Sequence, residues 1–183
     1  YIANDDEHLE NITRHLLEIF TKLIPNKKVM FMDVDDEYDG QFDLFARISE
    51  PETLEDMANQ LMLELEDRKK GETGHDFIIF IPNLEKFVQA SGLTGEQVSA
   101  LYQEGWKYNM HFVVGSSYSY ISNNAIGSPA RQVKAYNQHY LLGMRLTDQT
   151  ILEKPYNSKE PYLNKDEVYL YGRPSSVKLK ITI

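Results

Sequence analysis

Cysteine is absent from the 183 residues, which excludes disulfide bonds, thiolate metal sites and cysteine nucleophiles. This absence fits a reducing compartment. No apolar run approaches the roughly 20 residues that a membrane-spanning helix needs. We find no signal peptide, and the first residues, YIANDDEHLE, are typical of the interior of a fold. We therefore expect a fragment of a longer chain, which could carry a membrane anchor elsewhere.

A surplus of positive charge is also lacking, since the formal net charge is −9. Proteins that bind nucleic acid normally present a basic face, because contacts to phosphates dominate their affinity. The densest basic cluster, Arg68, Lys69 and Lys70, falls at the predicted end of a helix, where it complements the helix dipole. We expect no nucleic-acid partner.

Three stretches carry the apolar period of amphipathic helices. The first has Asn4 as its expected N-cap, with Glu7 as the capping-box partner. The second starts at Ser49 with Pro51 in its first turn, and Thr94 begins the third, which ends near residue 109. The apolar residues of the first two helices are Leu9, Ile12, Leu16, Phe20 and Leu23, then Leu54, Met57, Ala58, Leu61 and Leu65.

Strands are predicted between these helices, at residues 29–36, 77–81, 111–117 and 139–146. The strand FIIFI (77–81) is apolar at every position, so we expect a central strand of a parallel sheet with both faces covered. The tail predicts a hairpin around a Gly-Arg-Pro-Ser turn, with Lys178 and Lys180 on a solvated face. Strands alternating with helices indicate an α/β fold with a mainly parallel sheet flanked by helices and a C-terminal β-hairpin. Residues 122–132 are the most loop-like span.

The first helix follows the short segment YIA, an order of elements that P-loop ATPases use to hold nucleotide. In their motif, glycines let backbone N–H groups wrap the phosphates, a lysine neutralises charge and a hydroxyl side chain binds Mg²⁺. Aligned here, the glycine positions hold Ala3 and His8, the lysine position holds Leu9 and the hydroxyl position holds Glu10. All four positions therefore depart from the motif.

Three carboxylates, Asp5, Asp6 and Glu7, fall where a triphosphate would lie. Two like unit charges about 4 Å apart repel by roughly 1 kcal/mol in water and by about 4 kcal/mol at an effective dielectric of 20. Several such pairs outweigh the attraction of helix-end N–H groups, so we expect this region to repel ATP. The same acids also suit the start of a helix, whose dipole they complement.

The strand FIIFI runs into Pro82 and Asn83, the positions at which a Walker B motif has two acidic residues. Proline has no side-chain ligand for Mg²⁺, and asparagine cannot act as a general base. Glu85, two residues further on, is interpreted as a solvated side chain. The loss of both motifs predicts that no phosphoryl chemistry survives.

Other candidate sites are weaker. Asp33, Asp35 and Asp36 could form a Mg²⁺ pocket, as in a receiver domain, but no phosphoacceptor aspartate follows the central strand, and a solvated loop is the simpler interpretation. His8 and His15 share one helix face without carboxylates at metal-ligand spacing, so we expect no metal site.

The order of elements, from the P-loop-like helix start through FIIFIPNLEKF, NMHFVVGSS and YLLGMRLTD to the hairpin DEVYLYGRPSSVKLKI, resembles FtsK/SpoIIIE-type motor domains. Within them it is similar to the third, C-terminal ATPase domain of the type VII secretion coupling ATPases, over nearly the whole chain. The resemblance implies a RecA-like P-loop NTPase fold and one degenerate ATPase domain over residues 1–183. No catalytic residue of the family carries over. The departing positions are Ala3, His8, Leu9, Glu10, Pro82 and Asn83.

The resemblance also implies a parent protein that is hexameric and anchored at the cytoplasmic side of the bacterial membrane. Upstream domains of that parent would bind ATP and Mg²⁺, and we expect no cofactor in this domain. The implied partners are secreted WXG-type helical proteins and the preceding ATPase domain of the same chain. Two other functions stay open: an active nucleotide-binding ATPase with divergent motifs, and a structural domain that regulates the preceding one.

A helix-binding role requires an exposed apolar patch. Trp106, the single tryptophan, is one candidate for it, although burial under the sheet is its expected position. The other candidates follow the broken strand, and we expect only two or three of all these residues to be exposed. They are Phe87, Val88, Leu93, Val98, Leu101 and Tyr102.

Overall fold

The computed structural model describes residues 1–24, 29–38, 46–72, 74–123, 125–137, 139–152, 160–172 and 175–181. The strands are β1 (Ile2–Ala3), β2 (Val29–Met32), β3 (Ala46–Ile48), β4 (Phe77–Ile81), β5 (Met110–Val114), β6 (Ser116–Ser117), β7 (His139–Gly143), β8 (Glu167–Gly172) and β9 (Ser175–Lys180). The α-helices are α1 (Asp6–Leu23), α2 (Pro51–Lys69), α3 (Leu84–Ser91), α4 (Gly95–Glu104), α5 (Tyr118–Ile121) and α6 (Pro129–Tyr136). Two short 3-10 helices, Gly105–Tyr108 and Leu146–Asp148, follow α4 and β7.

The strands form two ladders, β3-β2-β4-β5 and β6-β1-β7-β8-β9. The first ladder and the β6-β1-β7 part of the second are parallel, and β8 and β9 add an antiparallel hairpin at one edge. The predicted α/β class, the mainly parallel sheet and the C-terminal hairpin are therefore confirmed.

Gly115 connects the two ladders, because it lies between β5 and β6. Its backbone N–H donates to Ile81 O at 2.7 Å, and its carbonyl oxygen accepts from Leu84 N at 2.8 Å. A Cβ atom at position 115 would lie 2.1 Å from Pro82 O and 2.4 Å from the Tyr1 ring. Only glycine lets the backbone pass so close to the end of β4.

Strand β4 is central and covered on both faces, as its apolar run predicts. It pairs with β2 on one side and β5 on the other. Ile79 packs into the cluster that contains Leu54 and Leu101, while Phe80 packs on the opposite side with Leu17 of α1. The helices therefore form a layer on each face of the sheet.

The helix starts differ from prediction at two of three positions. Asp5, one residue after the expected Asn4, is the N-cap of α1, and its carboxylate accepts from His8 N at 2.8 Å. Helix α2 begins after Glu50, which makes no side-chain capping bond. The capping box at the start of α4, between Thr94 and Gln97, is present as expected.

Several other elements were missed or misplaced. Residues 84–91 form α3, although no helix is predicted there, and α6 begins inside the span interpreted as a loop. Strands β2 and β7 end at Met32 and Gly143, earlier than predicted, because an acidic loop follows β2 and a 3-10 helix at Leu146–Asp148 follows β7.

The hairpin has the predicted solvated face, on which Lys178 Nζ lies 2.9 Å from Glu167 Oε2 and Lys180 Nζ lies 3.0 Å from Asp166 Oδ2. The apolar face of β9 is less covered than expected, since Val177 is 53% exposed and Leu179 is 39% exposed. Across the ranges given above, no helix is long and apolar enough to cross a membrane.

Candidate functional site

The positions predicted for both motifs lead to the same cavity, at the end of the sheet where the parallel strands finish. The cavity has a volume of about 380 Å³. The predicted positions Leu9 and Glu10 line it from α1, and Pro82 and Asn83 line it from the end of β4. In parallel α/β sheets this carboxyl-end crevice is the usual place for a ligand. The structure therefore brings the two sets of predicted positions together.

The start of α1 is closed rather than open. Only Asn4 and Asp5 lie between β1 and the helix, so there is no long loop of free N–H groups. The Asp5 carboxylate accepts from His8 N, and the Asp5 carbonyl oxygen accepts from Leu9 N at 3.1 Å. The N–H groups of His8 and Leu9 are thus engaged with the chain itself.

The remaining predicted positions at this helix start have structural roles. Ala3 is fully buried, and His8 is buried with its Nε2 atom donating to Glu167 O at 3.1 Å. The Glu10 carboxylate accepts from Arg14 Nε at 2.9 Å, and Glu7 forms an ion pair with Lys165. Neither a lysine nor a hydroxyl side chain takes the place that a phosphate-binding loop reserves for it.

The end of β4 is equally engaged. Pro82 is buried, and its carbonyl oxygen accepts from the Tyr1 hydroxyl at 3.3 Å. Asn83 is the N-cap of α3, where its Oδ1 accepts from Lys86 N at 3.2 Å. The described part of the chain contains no group of three or more histidine, aspartate or glutamate side chains that could hold a metal ion.

Lys86 bridges the cavity to the loop after β2. Its Nζ donates to Glu37 Oε1 at 2.6 Å and also forms an ion pair with Asp35. Burial alone lowers the pKa of Lys86, but the hydrogen bonds to Asp35 and Glu37 outweigh this effect and raise the pKa above its usual value. The ammonium group therefore stays charged and bound to the two carboxylates.

The acidic loop is solvated only in part, because Asp35 and Asp36 are exposed whereas Asp33 is buried. The Asp33 carboxylate accepts from Glu37 N at 3.1 Å, from Tyr38 N at 3.0 Å and from Arg47 Nε at 2.9 Å. Arg47 also forms an ion pair with Asp36. These bonds use the oxygens of Asp33 to fold the loop over the cavity.

The donors around the cavity do not fit a Mg²⁺-bound nucleoside triphosphate. Carboxylates from Asp6, Glu10 and Glu37 line the cavity, whereas its lining lysine, Lys86, is already bound to acids. A triphosphate would therefore meet like charge and engaged N–H groups.

The predicted docking residues are mostly core. Phe87, Leu93, Val98 and Leu101 are buried in the main hydrophobic cluster, so they cannot form an exposed patch. Phe87 of α3, Leu93 between the helices, and Val98 and Leu101 of α4 pack into the core. Sequence alone could not distinguish such a buried face from a binding face. Val88 and Tyr102 are only partly buried.

Trp106 contradicts its expected burial, since it is 62% exposed. It lies in the 3-10 turn after α4 and lines a groove of about 600 Å³ with Tyr136 of α6. The floor contains Tyr102 and Phe112, whose rings stack at 4.9 Å. The groove opens at the starts of β5 and β7, away from the cavity at their far ends. Its lining residues are Tyr102, Trp106, Met110, His111, Phe112, Ala135, Tyr136, Asn137 and His139.

The Tyr102 hydroxyl is a notable feature of this aromatic groove. It is buried and has no hydrogen-bond partner within the described ranges. Burial raises the pKa of Tyr102 above its usual value, so the hydroxyl stays protonated and can act as a hydrogen-bond donor. In the sequence, the only signal for the groove is the single tryptophan, which stands between Gly105 and a lysine. This pattern is typical of a turn rather than of a helix face.

The chain is similar to known proteins at the level of sequence and of structure. It is 26% identical over 183 residues to the type VII secretion system protein EssC of Staphylococcus aureus (strain MRSA252), an alignment that covers 96% of this chain but 12% of that protein. No family model matches the chain.

Two solved structures share its fold. EssC (ATPases 2 and 3) from Geobacillus thermodenitrificans superposes with a TM-score of 0.72 at 12% identity, covering 98% of this chain and 35% of that one. Thermomonospora curvata EccC (ATPases 2 and 3), in complex with a signal sequence peptide, gives a TM-score of 0.71 at 11% identity with the same coverage.

The fold of the chain is therefore similar to that of the ATPase domains in these two structures. More particularly, the similarity in sequence and fold is to the EssC/EccC ATPases of type VII secretion, which confirms the predicted resemblance. The chain spans only about an eighth of the curated relative.

Proposed function

We propose that this chain is a domain of a type VII secretion motor that keeps the ATPase fold without hydrolysing ATP, and that it binds helical segments of secreted WXG-type proteins. The observation that carries the first part is the capped start of α1. There the Asp5 carboxylate, 2.8 Å from His8 N, takes a hydrogen bond that an anion at the helix start would otherwise accept. A carboxylate built into the chain competes well with any anion from solution, because it loses no translational entropy when it binds.

Charge supports the same proposal. Asp6, Glu10 and Glu37 line the cavity, and Asp35 adds a further carboxylate at Lys86. At an effective dielectric of about 20, each close pair of like charges costs about 4 kcal/mol. A triphosphate carries several charges, so its repulsion exceeds what Lys86 could return after breaking two existing ion pairs.

The aromatic groove supports the second part. Exposed aromatic side chains over a stacked floor suit the aliphatic anchors of an amphipathic helix. A relative with the same fold was solved with a signal sequence peptide bound, and we carry peptide binding over to this chain as a proposal.

The setting is proposed from the family resemblance of the sequence. In the parent motor, ATP and Mg²⁺ would act in other ATPase domains, and the preceding one would be a direct partner of this domain. The parent would be a hexamer anchored at the cytoplasmic side of the membrane. This domain would then present substrate to the motor rather than drive it.

Two alternatives give different results in the same assays. An active ATPase with divergent motifs would show turnover in the 183-residue chain that disappears on Glu10→Ala or Asn83→Ala. We expect no turnover above the rate of buffer containing Mg²⁺ and ATP. Turnover that depends on either residue overturns the proposal.

A regulatory domain is separated from a recognition domain by deleting residues 1–183 from the parent motor. Recognition predicts that secretion is lost while ATP hydrolysis by the other domains is unchanged. Altered hydrolysis with normal capture of substrate would instead assign a regulatory function.

A further inference from the structure

Exposed apolar side chains are concentrated on one face of the protein. Ten large hydrophobic residues are exposed in the described part of the chain, and five of them come from the last turns of α1 and from the β8–β9 hairpin. We call these five the hairpin face. They are Ile19, Leu23, Leu170, Val177 and Leu179.

Strand register shows that the hairpin residues share one side of the sheet. Leu141 of β7 lies opposite Leu170 of β8, and Leu170 lies opposite Val177 of β9. Leu179 lies opposite Val168 on the same side. Because side chains alternate along a strand, these residues form rows of apolar groups across three strands.

Helix α1 covers only part of this side. Val168 is buried in a cluster with Leu9 and Ile12, and Leu16, Leu141 and Ile181 pack against that cluster. Leu170 is 39% exposed and Val177 is 53% exposed, so cover is lost toward the edge of the sheet. Ile19 and Leu23 follow Leu16 by one and two turns, on the flank that continues over the open part.

The dimensions match one additional helix. A helix with its side chains is about 10 Å across and strands are about 4.8 Å apart, so one helix covers roughly two strands. Helix α1 packs over β6, β1 and β7 and reaches Val168 of β8, and a second helix beside it would lie over the rest of β8 and over β9. One face of this second helix would bury Leu170, Val177 and Leu179. Its flank would contact Ile19 and Leu23 of α1.

The edge of the sheet is not suited to strand addition. Lys178 and Lys180 lie along β9, and lysine on an edge strand discourages pairing with another strand. A partner should therefore use the face of the hairpin rather than its edge, which disfavours a sheet that continues into a second copy.

We propose that the hairpin face binds an amphipathic helix of the ATPase domain that adjoins this one in the parent motor. This partner rests on the proposed function, because it assumes that the chain works within a longer motor. The choice is supported by scale: the chain corresponds to 12% of the EssC relative, and the fold covers 35% of solved chains that hold two ATPase domains. An aliphatic face beside a neighbouring domain of the same chain is the kind of surface that stays covered.

Thiol labelling tests this proposal in the full parent motor. Val177→Cys places a thiol on the hairpin face, and Leu63→Cys places a matched thiol on α2, where Leu63 is 64% exposed. We expect the thiol at position 177 to react with a maleimide at least tenfold more slowly than the thiol at position 63, and both to react fully after denaturation. Equal rates overturn the proposal.

The partner is identified by attaching a benzophenone maleimide at position 177 and mapping the photo-cross-linked peptides by mass spectrometry. Peptides from the adjoining ATPase domain support the proposal. Peptides from residues 1–183 of a second copy, or from a secreted protein, overturn it. This readout does not involve nucleotide. The docking proposal can therefore fail while the proposed function stands, and the proposed function can fail while the docking proposal stands.

A charge variant gives an independent check in the same motor. Val177→Asp should raise labelling of a thiol introduced by Leu170→Cys at least fivefold, because the docked helix is released. Leu63→Asp should leave it unchanged. An unchanged rate with Val177→Asp contradicts the docking.

Discussion

The Nζ atom of Lys86 lies 2.6 Å from Oε1 of Glu37, so an ion pair joins the helix after β4 to the loop after β2. Both residues line the cavity that also contains the predicted motif positions Glu10 and Asn83. Lysine and carboxylates that could meet a ligand instead meet each other.

Replacing this lysine tests how much the ion pairs contribute to stability. Lys86→Met should lower the free energy of unfolding by about 1 kcal/mol or less, because exposed ion pairs contribute little and the Lys86 side chain is 37% exposed. Urea denaturation measures the change, with Lys70→Met, which removes an exposed pair to Asp67, as the control. A loss several times larger than the control would mean that the loop itself unfolds.

The Tyr102 hydroxyl tests whether a buried polar group without a hydrogen-bond partner lowers the free energy of unfolding. Tyr102→Phe should leave the free energy of unfolding unchanged or raise it by about 1–3 kcal/mol, because it removes a buried polar group without a partner. Tyr140→Phe is the matched control, since the Tyr140 hydroxyl donates to Lys134 O at 3.1 Å. The control should lose about 0.5–1.5 kcal/mol. Equal losses in both variants would show that Tyr102 has a partner in solution.

Trp106 tests the groove as a binding surface. Trp106→Ala should weaken binding of a synthetic peptide from the C-terminal end of a secreted WXG-type protein at least tenfold, because aromatic anchors dominate such interfaces. Thermal stability should hardly change, since the side chain is exposed. Fluorescence anisotropy measures the affinity, and Leu63→Ala serves as the control. Unchanged affinity with Trp106→Ala removes the groove from the proposed function.

Leu101 distinguishes core from docking face. Leu101→Ala should lower the free energy of unfolding by about 2–5 kcal/mol, because it leaves a cavity in a packed cluster. Chemical denaturation measures the loss. If stability falls by less than about 1 kcal/mol, a value typical of surface positions, Leu101 is not in the core.

Acid should loosen the hairpin. A hydrogen bond from Asn164 N and the ion pair with Lys178 hold the pKa of Glu167 below its usual value of 4.5, and the bond to Lys180 lowers the pKa of Asp166. The folded pKa values lie below the unfolded ones, so the unfolded state takes up more protons. This contribution is present above about pH 4.5 and is lost as the pH falls through the folded pKa values.

Thermal melts between about pH 6 and pH 3 measure this dependence. Glu167→Gln should reduce the slope of melting temperature against pH in the acid range. Glu55→Gln, at an exposed position of α2, should leave the slope as in the wild type. Equal slopes for all three proteins would show that Glu167 does not contribute to the loss of stability in acid.

Much of the fold was predictable because local patterns and tertiary environment agree. The run FIIFI is apolar at each position, and β4 is indeed central, with Ile79 and Phe80 packed on opposite faces. Thr94 and Gln97 are a capping box in sequence and in space. Such signals depend on neighbours along the chain, so no long-range information is needed.

The rest depended on contacts between distant segments. Asp33 was read as part of a solvated loop, but Arg47 and two backbone N–H groups bury it. Trp106 was placed under the sheet because tryptophan is usually buried, whereas the turn after α4 directs it outward. The short helix α3 was not predicted because it follows a proline and an asparagine, a pair that often ends an element. Here the asparagine is instead the N-cap of the helix.

The predicted site positions were found, but their chemistry required the structure. Sequence alignment identified Glu10 and Asn83 as departures from two motifs. Only the coordinates show that Glu10 is held by Arg14 and that Asn83 caps α3. Lys86 was not considered at all, because its partners lie about fifty residues away in the loop after β2.

Isothermal titration with ATP and Mg²⁺ tests nucleotide exclusion most directly, with wild-type protein and Lys86→Met side by side. The variant removes the ion pairs of Lys86 with Asp35 and Glu37 but keeps Asp5, Asp6 and Glu10 in place. We expect no saturable heat from either protein up to about 1 mM ATP, a limit that corresponds to roughly −4 kcal/mol. Saturable binding to the wild type at micromolar ATP would contradict nucleotide exclusion.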